Sequence, residues 1–417
     1  MMDIYNVKNV DRGVFIEKGQ AKSKTFTLLL ILICIPFIQL GLNYYLSVQV
    51  LAFILIFIFL PVNVFLYAAP IGFLVFGLMC IPVLFAVNST EAMHDLLKTA
   101  REFVCYLPIY CIIKYKDNIV NAIKINAKIY KVIPLILIGL ALFTIVQYVV
   151  LKSGVYLALP YELYVRNAGT LPGELDLIYS KIRPSATFGE PSYLGFVDAS
   201  FLIIVLRAFK KSWLKSVMIV CIVLTVYFCQ SASGQLAVFL LLFIELMQSK
   251  SKGLTKVSII FSACFVVFIA WVADFSTIER LSNFSDRKQE SSGYARLAAP
   301  AIIASEVLLN SPFGVVNSQL EQFVTGTRAM SKNDLAGALS NGFYNLLINY
   351  GLTGFLLLGL LLHPVWKDWL IMCYIVLTTS FNGAFLCFDK SAVIVTTLYL
   401  MFYLSASSNQ RLSAVNV

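Results

Sequence analysis

The residues best suited to chemistry lie in one segment, 183–195, which reads RPSATFGEPSYLG. Arg183 opens it and Glu190 follows, with Gly189 between them to let the chain double back. An arginine forms bidentate hydrogen bonds to a doubly charged phosphate, so an Arg and a carboxylate facing one cleft can hold a pyrophosphate and deprotonate a hydroxyl. The alternative is that Glu190 caps a helix starting at Pro191, because backbone amides stabilise a carboxylate there.

Asp198 and Tyr193 continue this segment into the apolar run that follows. Asp198 lies roughly two helical turns beyond Glu190, so helical spacing puts the two carboxylates near the same face. An ionisable group inside an apolar span is a functional candidate by default. The alternative is a structural carboxylate that is hydrogen-bonded between helices. We take Asp198 and Tyr193 as candidate substrate-binding residues.

A second candidate segment reads SSGYARLAAP at 291–300, and its arginine is Arg296. This arginine either binds an anionic group or snorkels from an apolar stretch, 295–309, that is compatible with a helix on the membrane surface. Neighbouring basic residues would attract anionic lipid or substrate headgroups. They are Arg280, Arg287, Lys288 and Arg328.

Other polar groups give weaker signals. Lys98 and Glu102 form an i, i+4 pair, with Arg101 on the adjacent turn, and are expected to mark a membrane boundary. Glu174 and Asp176 are a weak metal signal. The chain has two histidines, no CxxC pair among nine cysteines and no GxxxxGK[ST] loop, so no metal, cofactor or nucleotide is predicted. The small-residue turn SASG at 231–234 indicates close helix packing.

Composition indicates which elements position these residues. Of 417 residues, 59% are apolar and 13% are charged, against roughly 45–50% and about 25% in soluble domains. We therefore predict an all-α polytopic membrane protein, 1–417 forming one integral domain. Twelve spans are predicted, at 25–42, 47–67, 70–87, 96–113, 132–150, 191–208, 213–229, 233–248, 257–273, 342–362, 368–386 and 390–405.

Basic residues predict the sidedness of these spans. The N-terminal tail holds five, 114–131 holds five, 207–215 holds four and 250–256 holds three. By the positive-inside rule these short segments are cytoplasmic, as are both termini. Two long loops, 151–190 and 274–341, then lie on the opposite, periplasmic side, and loops of this length often carry function.

Four segments together resemble a known family. RPSATFGEPSYLG, SASGQLAVFLLLF at 231–243, SSGYARLAAP and SNGFYNLLINYGLTG at 340–354 look like the Wzy-type polysaccharide repeat-unit polymerases, within the O-antigen polymerase and ligase group. The resemblance implies a GT-C-like helical bundle whose large-loop arginines bind undecaprenyl-diphosphate-linked glycans. It therefore implicates Arg183 and Arg296, with Glu190, in catalysis. The ligase branch has a His-Asn pair where this chain has Ser340-Asn341, which favours a polymerase.

The implied activity is glycosyl transfer without metal or nucleotide at the periplasmic face of the bacterial inner membrane. The partners would be a lipid-linked donor and acceptor, the bilayer, a chain-length regulator and a flippase, with no nucleic acid. Two alternatives remain, an O-antigen ligase-type enzyme and a lipid-linked oligosaccharide flippase, although transporters usually show two related halves. Candidate substrate-binding residues are Arg166, Arg280, Tyr193, Asp198 and Asn341.

Overall fold

A computed structural model describes the chain in eleven ranges. These are 22–43, 45–86, 91–123, 125–155, 157–160, 163–165, 183–209, 213–248, 299–325, 341–380 and 383–415. Within them the regular structure is helical, apart from isolated bridges between Leu40 and Tyr164 and between Gly41 and Ser47. The predicted all-α class is confirmed for these residues. Arg166, Arg280, Arg296 and the predicted span 257–273 lie outside them.

The described residues form fifteen α-helices. In chain order, α1 to α15 are 22–34, Val48–Phe59, Val62–Phe85, Ala92–Lys114, Lys116–Ala122, Val132–Lys152, Pro191–Ala208, Trp213–Phe228, Ala232–Gln248, Ala299–Asn310, Asn317–Thr325, Gly342–Tyr350, Leu352–Leu362, Trp369–Ser380 and Phe388–Val415. Short 3-10 turns at Ile35–Phe37, Ala127–Lys131 and His363–Val365 join or extend them.

Three described helices are long and apolar enough to cross a membrane: Val62–Phe85, Ile129–Lys152 and Pro191–Ala208. Six shorter apolar helices accompany them. The full set of twelve spans stays a prediction. The boundary between the second and third predicted spans differs, because α2 ends at Phe59 rather than near residue 67 and α3 begins at Val62 rather than near residue 70. Leu60 is extended, with ψ 144°, since the residue before Pro61 is sterically kept out of the helical region.

Helix α7, which follows the segment 183–190, lies at the centre of the bundle. Every residue from Ser192 to Leu206 is buried, and α7 packs against α8, α9, α14 and α15. A helix buried on all sides belongs to a bundle core. Its closest neighbour is α9, where a Cβ on Gly195 would lie 2.6 Å from the Cα of Gly234. The SASG turn therefore provides the close helix approach that the sequence predicted.

The predicted span 342–362 is two helices, not one, and the break falls at Gly351. Gly351 has φ +56°, and a Cβ there would overlap the carbonyl oxygen of Pro312. The loop before α11 supplies the missing hydrogen bonds: Leu352 N donates to Pro312 O at 2.8 Å, and Val315 N donates to Ile348 O at 2.9 Å. A broken helix is tolerated in a membrane protein where other protein groups satisfy the freed backbone.

Helix α10 covers part of the stretch for which the sequence suggested a membrane-surface helix. Its buried residues include Ile303 and Val307, which pack with Ile348 of α12 in a small apolar cluster. The apolar face of α10 is therefore covered by protein, because α12 offers it a complementary surface.

Candidate functional site

The segment after Arg183 is held in place by one buried amide, that of Gln147 in α6. Gln147 Oε1 accepts from the backbone N–H groups of Ser185 and Ala186, at 3.2 and 2.8 Å. Its Nε2 donates to Ala186 O and Leu157 O, both at 2.9 Å. Ala186 has φ +51°, a conformation that costs a non-glycine residue energy unless its surroundings enforce it. The Gln147 side chain therefore fixes the turn that separates Arg183 from Glu190.

Further contacts attach the same segment to the end of α1. Gly189 N donates to Gln39 Oε1 at 2.9 Å, and the Thr187 hydroxyl donates to Pro36 O. Val165 N also donates to Gln39 O, at 3.0 Å. Helix α6 and the turn that follows α1 thus position the chain between Arg183 and Glu190. The sequence analysis did not identify Gln147 and Gln39 as functional residues. The one feature that could have indicated them is that each is a polar amide within an apolar run.

Arg183 lies against the turn that joins α8 to α9. Its Nη1 donates to Gln230 O at 2.9 Å, and its charge acts on the neighbouring Cys229 thiol. Cys229 Sγ lies 4.0 Å from Pro191 O, at the start of α7. The same turn therefore borders both Arg183 and the residue next to Glu190. Arg183 is half-buried, which limits how water can screen its charge.

Glu190 occupies the N-cap position of α7, but its carboxylate makes no capping hydrogen bond to the backbone. Its backbone C=O accepts from Tyr193 N at 3.1 Å, as a helix start requires. Its Oε2 instead accepts the hydroxyl of Ser192 at 3.0 Å. The capping alternative is thus correct for the backbone position and wrong for the side chain. A half-buried carboxylate at this place remains suited to accept a proton from a hydroxyl.

Tyr193 and Asp198 lie on the inner part of α7. The Tyr193 ring contacts Phe188 and Phe196, each with a centroid separation of 5.4 Å. Asp198 is fully buried, and neither of its carboxylate oxygens has a hydrogen-bond partner among the described residues. A buried polar group normally costs free energy unless it is paired. The described residues supply no partner for the alternative of a hydrogen-bonded structural carboxylate, and the role of Asp198 stays a prediction.

Asn341 serves the start of α12. Its Oδ1 accepts from Phe343 N at 3.0 Å and Tyr344 N at 3.4 Å, which is N-capping geometry. Only 2% of Asn341 is exposed. The next residue, Gly342, contacts the backbone of Gly383 and Phe385 so closely that no Cβ would fit. Asn341 therefore has a structural task, and its role toward substrate stays a prediction.

The predicted pair of Lys98 and Glu102 forms on α4, and it belongs to a buried ionic cluster whose tertiary partners the sequence did not predict. Glu102 Oε2 accepts from Tyr350 OH at 2.7 Å, and Lys98 Nζ lies 3.8 Å from Oε1. Asp95 accepts from the backbone and hydroxyl of Ser318, the backbone contact being 3.2 Å. Glu102 and Asp95 are 3% and 2% exposed, so they do not simply mark a membrane boundary. They tie α4 to α11 and α12.

Lys390 is a second residue that the sequence left without a role. It is 1% exposed, and its Nζ donates to Gly383 O at 3.0 Å. A lysine is rarely buried to this extent without a partner. Through Gly383, it is connected to the same backbone segment that contacts Gly342. Lys390 thus supports the start of α12.

The structure brings Arg183 and Glu190 to the same end of α7 and sets Tyr193 and Asp198 along that helix. Asn341 belongs to another element, as the N-cap residue of α12. Within the described ranges, no three His, Cys, Asp or Glu side chains are grouped to hold a metal ion. The pairing of Arg183 with Arg296 stays a prediction.

Comparison with known proteins gives one match. A family described as WcaD colanic acid polymerase matches residues 25–405, which is most of the chain. This range includes the segment 183–195, α7 and the broken pair α12 and α13. No curated protein and no solved structure matches the chain.

Proposed function

Because the chain belongs to the WcaD colanic acid polymerase family, and so to the Wzy-type repeat-unit polymerases, we propose that its substrates are oligosaccharides carried on undecaprenyl diphosphate. The family match establishes a membrane polymerase of polysaccharide biosynthesis, with a glycosyltransferase-like activity. The finer assignment adds the lipid-linked donor and acceptor, reaction at the periplasmic face of the bacterial inner membrane, and independence of metal and nucleotide.

One observation carries this proposal: Arg183 and Glu190 flank a clamped loop at the start of α7. A guanidinium beside a helix N-terminus favours an anionic group, because both contribute positive potential. A carboxylate a few residues away, whose hydrogen bond comes from a neighbouring serine, can take a proton. Diphosphate binding and hydroxyl deprotonation are the two tasks that this glycosyl transfer demands.

The reaction follows from these roles. A hydroxyl of the acceptor repeat unit attacks the anomeric carbon of the donor glycan while the bond from that carbon to the diphosphate oxygen breaks. Glu190 takes the hydroxyl proton, and undecaprenyl diphosphate leaves with the bonding electron pair. Arg183 offsets the negative charge that develops on the leaving group, with Arg296 as its proposed second partner. Asp198 is the next candidate for the base.

The remaining parts of the assignment extend this scheme. Both termini are proposed to be cytoplasmic, with 151–190 and 274–341 as periplasmic loops of a single integral domain. Arg166, Arg280, Tyr193 and Asn341 are proposed to contact substrate. A flippase that supplies repeat units and a regulator of chain length are the proposed partners.

Reconstitution tests the proposal directly. Purified full-length protein in liposomes, given lipid-linked repeat units, is expected to form a ladder of polymers, and to do so in the presence of EDTA. Loss of activity in EDTA that Mg²⁺ restores would contradict metal independence. Movement of unchanged repeat units across the bilayer, without any ladder, would instead identify a flippase.

The glycan profile of a deletion strain separates the polymerase from a ligase. A strain lacking the polymerase still caps its surface lipid with a single repeat unit, because ligation does not require polymerisation. A strain lacking a ligase has no capped surface lipid. We expect the single-unit product, and complete absence of capped lipid would contradict the assignment.

A further inference from the structure

A cavity of about 380 Å³ lies at the end of the bundle opposite to Glu190. Arg207, in the last turn of α7, borders it, and the helical rise puts it about 24 Å from the helix start. Its lining comes from α5, α7, α14, α15 and the turn before α14. The lining includes Lys116, Arg207, Trp366, Lys367, Ile371 and Phe402.

Three cations meet in this cavity, and two of them are not neutralised. Lys116 Nζ lies 5.5 Å from the centre of the Phe402 ring, and Lys367 Nζ lies 5.4 Å from that of Trp366. Neither lysine forms an ion pair with a carboxylate in the part of the chain that the structure describes. An ammonium group over an aromatic face keeps its full charge, so both lysines remain available to an anion.

The acidic groups nearby are already engaged with Arg207. Arg207 Nη2 lies 2.9 Å from Asp368 Oδ1, and its Nε lies 3.9 Å from Glu245 Oε2. Asp368 Oδ1 also accepts a hydrogen bond from the backbone N–H of Ile371 at the start of α14. Its negative charge therefore also stabilises the N-terminus of that helix. The cavity therefore keeps a net positive potential, because three cations, those of Lys116, Lys367 and Arg207, face two carboxylates.

The rest of the cavity is apolar, and its rim has membrane-interface character. Ile371, Met401 and Phe402 form an apolar wall beside the cations. Trp366, which lines the cavity, and Trp369, at the start of α14, are 61% and 62% exposed. Tryptophans exposed next to lysines are typical of the boundary between bilayer and water. A free inorganic phosphate would satisfy the cations but would leave this apolar surface unused.

We propose that this cavity binds the headgroup of an anionic phospholipid, with the phosphodiester between Lys116 and Lys367 and the upper acyl chain against the apolar wall. Basic pockets between helices at the cytoplasmic side of a membrane recognise such headgroups. The volume falls within the range of about 300–1,000 Å³ that is usual for ligand sites. The site lies at the other end of α7 from Arg183, so it does not depend on the proposed reaction.

Native mass spectrometry of the full-length protein tests this binding. The protein is exchanged into detergent and titrated with phosphatidylglycerol or phosphatidylcholine. We expect selective retention of phosphatidylglycerol and a rise in the unfolding temperature with that lipid alone. Replacing Lys116 and Lys367 by Gln should weaken retention about fivefold for each lysine. Because neither lysine holds a carboxylate, the variants leave no stranded charge.

Lys152→Gln is the matched control, since Lys152 lies 5.4 Å from the Tyr148 ring centre in the same cation–π geometry but outside the cavity. It should retain phosphatidylglycerol like the wild type. Equal retention of the two lipids, or equal loss in Lys152→Gln and the cavity variants, would overturn the proposal. Displacement of the lipid by millimolar inorganic phosphate would do so too, since it would identify a phosphate site.

Discussion

Gln147 and Ala186 form a reciprocal pair of hydrogen bonds, 2.8 Å from Ala186 N to Oε1 and 2.9 Å from Nε2 to Ala186 O. The pair joins the C-terminal part of one candidate span, α6, to the loop that leads into another, α7. It holds Ala186 in a left-handed conformation and thereby sets the path from Arg183 to Glu190. The candidate site is therefore supported by a residue that contacts neither a candidate base nor a candidate cation.

Gln147→Leu tests this support. The change removes the side-chain amide of Gln147, so the buried backbone groups that it hydrogen-bonds lose their partner. Leaving such a group unsatisfied costs about 1–3 kcal/mol. We expect a lower unfolding temperature together with at least a tenfold loss of polymerisation rate. Gln49→Leu is the control, because Gln49 is equally buried in α2 but its Nε2 has no partner among the described residues. Similar losses in both variants would show that burial, not the clamp, is responsible.

Glu190→Gln tests the base. Gln keeps the shape and the hydrogen bond to Ser192 but cannot take a proton, so polymer formation from purified lipid-linked repeat units should be lost. The variant should still insert and fold, because the carboxylate does not cap α7. Glu306→Gln, a half-buried glutamate of α10, is the control and should remain active. If Glu190→Gln stays near wild-type activity, Asp198→Asn becomes the variant to assay.

Arg183→Lys and Arg183→Ala test diphosphate binding. A lysine keeps the charge but cannot hold Gln230 O and also present a planar pair of donors, so both variants should be impaired. Losing one charge-assisted contact to phosphate should cost about 1.5–3 kcal/mol, or roughly ten- to a hundredfold in rate. Arg101→Lys, at an exposed position on α4, should be silent. Full activity of Arg183→Lys would limit the role of Arg183 to charge.

Gly351→Ala tests the break between α12 and α13. Its positive φ and the overlap of a Cβ with Pro312 O should lower the unfolding temperature markedly in a thermal-shift assay. Gly359→Ala lies in the interior of α13, and its Cβ would meet nothing within 4 Å. That change should be neutral or stabilise by about 0.5–1 kcal/mol. Equal behaviour of the two variants would argue that the chain does not need the break.

Cysteine labelling tests the predicted sidedness. Thr170→Cys and Met330→Cys, in a protein freed of native cysteines, should react with an impermeant thiol reagent in intact cells, because both positions belong to the predicted periplasmic loops. A cysteine at Lys252, in the short basic segment 250–256, is the control and should react only after lysis. If both loop cysteines are protected from the reagent in intact cells, the predicted twelve-span topology is wrong.

The sequence alone determined the class of the protein. An apolar fraction of 59% leaves too little polar surface for a soluble fold, and it is a property of composition that no tertiary contact alters. Pro191 and the apolar run after it also predicted α7 with its observed limits, Pro191–Ala208. The motif around Arg183 and Glu190 indicated the family, since its residue order is read directly.

Tertiary structure decided what these groups do. Whether Glu190 caps α7 depends on the rotation of its side chain. The Ser192 hydroxyl, which donates to Glu190 Oε2 at 3.0 Å, determines that rotation. Whether Glu102 faces lipid or protein depends on a partner, Tyr350, that is far away in sequence. The helix break at Gly351 needs the loop at Pro312 to satisfy it. Contacts between distant segments fix the last two, and local periodicity carries no information about such contacts.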